Sequence, residues 1–212
     1  MTYTRRQLLR RGGLATLGVA GGVVLLPSPP PDQQPVRPEG LSTPSDRQRS
    51  FVTEEYETPY ALWMYSRHAD DYVATSPINV VITLAHTERT FEDVMAVLWE
   101  AGWQPWPVEY VRYAYNAHTD AYERTHQTAA QSRFGAFGRF HVRAWDFEGF
   151  ISIQVHEDSR PKPSHIVRSH ERGKWLLEHL FHEAGWDVSP DAARFDNAAG
   201  PDHEGDITVI IG

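Results

Sequence analysis

The sequence predicts an α+β domain of the split β-α-β, ferredoxin-like kind, an antiparallel sheet with two helices on one face, and three observations lead there. Two segments with helical spacing end alike: "TFEDVMAVLWEAGW" at Trp103 and "ERGKWLLEHLFHEAGW" at Trp186. Apolar, β-branched runs flank them, "INVVITLA" (78 to 85) before the first and "DITVIIG" (206 to 212) after the second. Between them "RFHVRAWDFEGFISIQVHED" (139 to 158) reads as two strands joined by a tight turn. The order is β-α-β-β-α-β, and the shared "EAGW" suggests two related halves.

Each element has a local reason. In the first helix Phe91, Val94, Met95 and Leu98 follow the helical period, Glu92 and Asp93 sit in the first turn where the helix dipole favours acids, and Gly102 stands where a left-handed residue ends a helix. In the second, Leu176, Leu177, Leu180, Phe181 and Ala184 make the apolar stripe and Gly185 is the stop. Residues 104 to 137, rich in aromatic and small polar residues, do not fit this scheme and are assigned as an insertion, with a short strand expected at "EYVRYAY".

The hairpin carries the most information. A two-residue turn at Glu148-Gly149, with positive φ at the glycine, pairs His141 with His156, Arg143 with Gln154 and Trp145 with Ser152. The other face then carries Val142 against Val155 and Ala144 against Ile153, an apolar floor for the two helices. The polar face is expected to look outward or to lie under the insertion, with Asn79 and Thr83 joining it. A loop of odd length would mix the two faces.

The N-terminus reads differently. Arg5-Arg6 precede Leu8-Leu9, more arginine at Arg10 and Arg11, and an uncharged run from Gly12 to Leu26 that is short and mild for a membrane span. Residues 1 to 30 therefore have the form of a twin-arginine export signal, with a retained N-terminal anchor as the other account because no clear A-x-A cleavage site follows. Residues 31 to 50, dominated by Pro and polar residues, form a stiff linker, and 51 to 212 form one domain. Without residues 1 to 30 the chain has 16 basic against 28 acidic residues. That acidity disfavours nucleic acid and anionic lipid as partners. The absence of cysteine excludes disulfides, lipoprotein anchoring and thiol nucleophiles.

Among catalytic signatures, G-x-S-x-G, H-E-x-x-H, the P-loop and G-x-G-x-x-G are all missing. What remains is the hairpin face. Two histidines beside an arginine suit a phosphate or carboxylate: arginine offers a bidentate fork, and histidine moves a proton near neutral pH. With Asp158 and His165 added, the set is also suited to a divalent metal, though scattered histidines are equally an ordinary polar sheet face. The candidate catalytic residues are His141, His156 and His165, and the candidate substrate-binding residues are Arg143, Trp145 and Asn79. No cofactor follows from the residues.

The stretches "SPINVVITLAHTERTFEDVMAVLWEAGW", "RFHVRAWDFEGFISIQVHED" and "SHIVRSHERGKWLLEHL" resemble the LssY C-terminal domain family over most of residues 76 to 186. By that resemblance Pro77, Asn79, His141, Arg143, Trp145, His165, Glu171 and Arg172 fall on motif positions, and no reaction is implied. The 104 to 137 region departs from the pattern. Two functions follow as expectations. One is an exported hydrolase for an anionic or phosphorylated envelope substrate. The other is a non-catalytic binding or structural module at the cell surface that recognises a small anion or an envelope component.

The export reading has a direct check. Replacing Arg5 and Arg6 together with lysine in a reporter fusion is expected to abolish secretion, and unchanged secretion removes the twin-arginine reading.

Overall fold

The computed structural model describes residues 50–52, 59–84, 87–106, 111–131, 138–159 and 166–212. The expected signal, most of the linker and His165 lie outside them. The strands are β1 (Ser50–Val52), β2 (Pro59–Ala61), β3 (Trp63–His68), β4 (Asp71–Pro77), β5 (Val80–Thr83), β6 (Trp103–Pro105), β7 (Tyr113–Asn116), β8 (Ala121–Arg124), β9 (Gln127–Gln131), β10 (Arg139–Phe147), β11 (Phe150–Asp158), β12 (Val167–Ser169), β13 (Asp187–Arg194) and β14 (Asp206–Ile211). Helix α1 is Phe91–Glu100 and helix α2 is Glu171–Glu183.

The predicted fold class is corrected by these elements. The domain is mostly β, built on an eight-stranded sheet and a separate four-stranded one, and is not a ferredoxin-like fold. The larger sheet runs β13-β14-β5-β11-β10-β9-β6, with β12 added on β11, and the smaller runs β4-β3-β7-β8. Two causes account for the difference. Strand β13 reverses the chain after α2, so β14 enters parallel to β5 and the sheet is mixed. The supposed insertion is not an appendage: β6 and β9 widen the larger sheet, while β7 and β8 complete the smaller one.

Two apolar layers hold the domain together. Val94, Met95 and Leu98 of α1 and Leu177 and Phe181 of α2 share one cluster with Val80, Ile82, Val142, Ala144, Ile153 and Val155 of the larger sheet. On the other side of that sheet, Val81, Trp145, Phe147 and Ile207 pack with Trp63, Tyr65 and Ala114 of the smaller sheet. Tyrosines close this second layer, with Tyr122 stacked on Tyr72 at 3.8 Å and edge-on to Tyr65 at 4.9 Å. Each layer buries the side chains of one parity, so the sheet is covered on both faces.

The helix ends are specified locally and at long range. Thr90 opens α1 with a capping box: its hydroxyl accepts from the Asp93 amide, and Asp93 Oδ2 accepts from the Thr90 amide at 2.7 Å. Helix α2 is capped from a distance, since Asp202 Oδ1 accepts from the His170 amide at 2.7 Å and Asp202 Oδ2 from the Ser169 hydroxyl at 2.5 Å. Within α2, Gly173 lies directly over β11, where a Cβ would stand 2.9 Å from the Cα and amide nitrogen of His156. Gly173→Ala improves helix propensity by about 1 kcal/mol but forces side-chain volume onto backbone, and overpacking costs about 1–3 kcal/mol. The expected outcome is a lower urea midpoint with an unchanged slope, and an equal or higher midpoint contradicts this packing.

Candidate functional site

Strands β10 and β11 meet in the register read from the two-residue turn, with Glu148 at φ 55° and Gly149 at φ 90°. Three consecutive pairs of one parity are polar: Arg139 opposite Asp158, His141 opposite His156, and Arg143 opposite Gln154. All six are buried. Of the two expected placements, outward or under residues 104 to 137, burial overturns the outward one, and Arg143, 6% exposed, is an interior residue. On the β9 side the same face is lined by Thr128 and Ala130, which pair with Arg143 and His141.

The hydrogen bonds along this ladder have a direction. Arginine can only donate, so the contact of Arg143 Nη1 with Gln154 Oε1 at 3.3 Å makes that oxygen the acceptor. The amide nitrogen of Gln154 is then the nearer partner of His156 Nδ1, at 2.7 Å against 3.1 Å for the oxygen, which suits a nitrogen that donates to an accepting Nδ1. An accepting Nδ1 leaves the imidazole proton on Nε2, where it reaches Asp158 Oδ1 at 2.9 Å. Arg139 Nε approaches the other oxygen, Asp158 Oδ2, at 3.8 Å, and its guanidinium lies 4.3 Å over the Trp106 ring. The His141 ring meets His156 edge-on at 5.4 Å.

One ligand-capable atom from each of His141, His156 and Asp158 lies within 4.8 Å of the others. Around a tetrahedral ion with bonds of about 2.1 Å, neighbouring ligand atoms stand about 3.4 Å apart. Two imidazoles and a carboxylate form a donor set suited to zinc or another divalent transition metal.

The other predicted residues separate from this set. Asn79 is fully buried and committed to backbone: its Oδ1 accepts from the Val155 amide at 3.0 Å, and its Nδ2 donates to the carbonyls of Val155 at 3.0 Å and His170 at 3.3 Å. It clamps β5 to β11 and to the start of α2. Trp145 is a core residue, completely buried, with Nε1 donating to the Glu123 carbonyl at 3.2 Å. Arg172 pairs with buried Glu157 at 3.1 Å and Glu171 with Lys174 at 2.9 Å, both on α2. His165 lies outside the described residues.

A second group of buried histidines was not expected. His170 follows His156 at a ring separation of 6.2 Å and His203 follows His170 at 6.2 Å, which extends a row that starts at His141. Asn197 gives both amide hydrogens to the carbonyls of Leu62 and Ile78, so its Oδ1 accepts from His203 Nε2 at 3.1 Å. Below His203, Lys174 Nζ is held by Asp191 at 2.6 Å, Glu171 at 2.9 Å and the Asp206 carbonyl at 3.1 Å. Burial opposes the lysine's charge, but the hydrogen bonds it donates to Asp191 and Glu171 outweigh that and raise its pKa. Sequence spacing could not bring together positions 170, 174, 191, 197 and 203. The i, i+2, i+4 patterns R-x-H-x-R and Q-x-H-x-D on the hairpin were the signal for the ladder, and Arg139 and Gln154 were the members missed as site residues.

Compared with known proteins, the chain matches no protein-family model, no curated protein and no solved structure.

Burial pushes His170 down to about 3, with the neighbouring His156 and His203 adding to the effect. It pushes His203 down to about 4, assisted by the Lys174 charge. Both folded values lie below the unfolded value near 6.5, so the unfolded chain binds more protons between those limits. Their stabilising contribution is present above about pH 6.5 and is lost as pH falls toward 4, by about 1.4 kcal/mol per pH unit for each histidine. Urea unfolding at pH 7, 5.5 and 4.5 is expected to show this decline, with a shallower slope in His203→Gln. Equal slopes in the two proteins refute the assignment for His203.

Proposed function

We propose that the protein is an exported domain that holds one divalent metal ion through His141, His156 and Asp158 and hydrolyses a small anionic or phosphorylated substrate of the cell envelope. The observation that carries this reading is the convergence of three buried ligand atoms within 4.8 Å. The earlier expectation of His141 and His156 as a free acid and base is less well supported. His156 has Gln154 at one nitrogen and Asp158 at the other, so neither nitrogen is open to a substrate. A bound divalent ion would supply Lewis acidity to such a site. Arg139 and Arg143 on the same face place positive charge beside it, which suits an anionic substrate. The twin-arginine pattern supports export, and the quoted motifs support kinship with LssY C-terminal domains. Among the described residues no helix is long and apolar enough to cross a membrane.

One observation favours the second reading, a non-catalytic binding or structural module. The chain of donors from Arg143 through Gln154 and His156 to Asp158 is complete without any ion. Buried polar networks of this kind specify a fold without catalysing anything.

Elemental analysis decides between the two. Protein dialysed against Zn(II) and then against metal-free buffer is expected to retain about one ion per chain, and His141→Ala and Asp158→Asn, checked for folding by circular dichroism, are expected to bind at least tenfold more weakly. A wild-type chain that retains no zinc, manganese, iron or nickel refutes the metal reading in favour of the structural one.

A further inference from the structure

We propose that Gln154 is a positioning residue that serves both tautomers of His156, so that loading of the metal site moves the imidazole proton from Nε2 to Nδ1. The inference rests on the metal reading above and concerns how this chain prepares the ligand.

Gln154 is completely buried, and both ends of its amide reach the same atom. The nitrogen stands 2.7 Å and the oxygen 3.1 Å from His156 Nδ1. The closer approach of the nitrogen assigns the metal-free arrangement: the nitrogen donates to Nδ1 and the Nε2 proton goes to Asp158. That proton occupies the lone pair that faces Asp158 and that an ion shared with Asp158 would use. A ligand imidazole bound through Nε2 carries its proton on Nδ1 and needs an acceptor there. Gln154 Oε1 is already within hydrogen-bond distance of that position. A small turn of the amide about its last torsion, a soft degree of freedom, moves the nitrogen away and brings the oxygen onto Nδ1. Arg143 remains on the same oxygen, which has two lone pairs and accommodates both donors.

The proton count balances. The ion replaces the proton on Nε2, solvent takes that proton up, and Nδ1 acquires one from solvent, so the exchange leaves the number of protons on the ring unchanged. No net proton is released by His156, in contrast to a ligand that must ionise to bind. Glutamine is suited to this exchange because it carries a donor and an acceptor on one rotor. Glutamate at the same place would only accept and would hold His156 in the ligand tautomer at all times, while methionine would offer neither function.

Long-range proton–nitrogen NMR on protein labelled with ¹⁵N-histidine reads the tautomer directly, with Zn(II) as the diamagnetic probe. The expected result for the wild-type protein is His156 protonated at Nε2 without zinc and at Nδ1 with zinc. Gln154→Glu is expected to show the Nδ1 proton even without zinc, and Gln154→Met to bind zinc roughly 10–100-fold more weakly by competition with a chelating dye, with affinity restored in Gln154→Glu. A wild-type protein that binds zinc with His156 still protonated at Nε2, or Gln154→Met binding as tightly as wild type, overturns the role of Gln154 and leaves the metal site standing. A metal-free wild-type protein with its proton already on Nδ1 overturns the proposal whether or not zinc binds. Absence of zinc binding in the wild type removes the metal reading and this inference with it.

Discussion

The turn between β10 and β11 is two residues long, and this parity governs the rest of the domain. With Glu148 and Gly149 both at positive φ, each side chain of the hairpin is committed to one of two faces. One parity gives Val142, Ala144, Ile153 and Val155 to the helices. The other gives Trp145 and Phe147 to the smaller sheet near the turn, and the Arg, His, Asp and Gln side chains to the far end. A single added residue in the turn would invert one strand against the other: with β10 in place, His156 and Asp158 would face Leu177 and Phe181 while Ile153 and Val155 joined the arginines. Neither layer tolerates that exchange, so the turn and the candidate site are specified together.

Burying such a ladder is costly, and the arrangement keeps the cost bounded by cross-strand complementarity. Arg139 has Asp158 across from it, Arg143 has Gln154, and the two central positions are a cross-strand pair of imidazoles. The long clamp of Asn79 on β11 and the close seat of Gly173 over His156 fix the backbone under the site from two sides. Precision at His156 thus comes from rigid strand and helix, not from a loop. That is where a coordination site gains most from being preformed.

What could be read from the sequence followed from local chemistry. The helix bounded by Thr90 and Gly102, the stop at Gly185 and the hairpin register each rest on neighbours in the chain, and each appears where local rules place it. The fold class failed where nonlocal pairing decides. Strand β13 contains Pro190 and a bulge with Asp191 at φ 50°, and it is largely exposed, so its short "DVSPDAAR" lacks the alternation by which a strand is recognised. Strands β7 and β8 are four residues each and find their partners through a tyrosine cluster that draws on Tyr65 and Tyr72 from far earlier in the chain. For the site, the histidine pair was legible because both members sit on one hairpin. The roles of Asn79 and Trp145 were not, because a residue type that suits ligand binding suits backbone clamping or core packing equally well until its surroundings are known.

The lysine beneath His203 has a consequence for handling the protein at the bench. Lysine occurs only twice in the chain, at 162 and 174; the Lys174 side chain is 5% exposed and its amine is shared among three oxygens. An amine with all three hydrogens engaged and its pKa raised has little free lone pair to offer an acylating reagent. Lys174 is therefore chemically silent while α2 stays seated on β13 and β14, and becomes reactive when that junction opens. Acylation at this one position, followed by mass, is a built-in reporter of local opening that needs no introduced label.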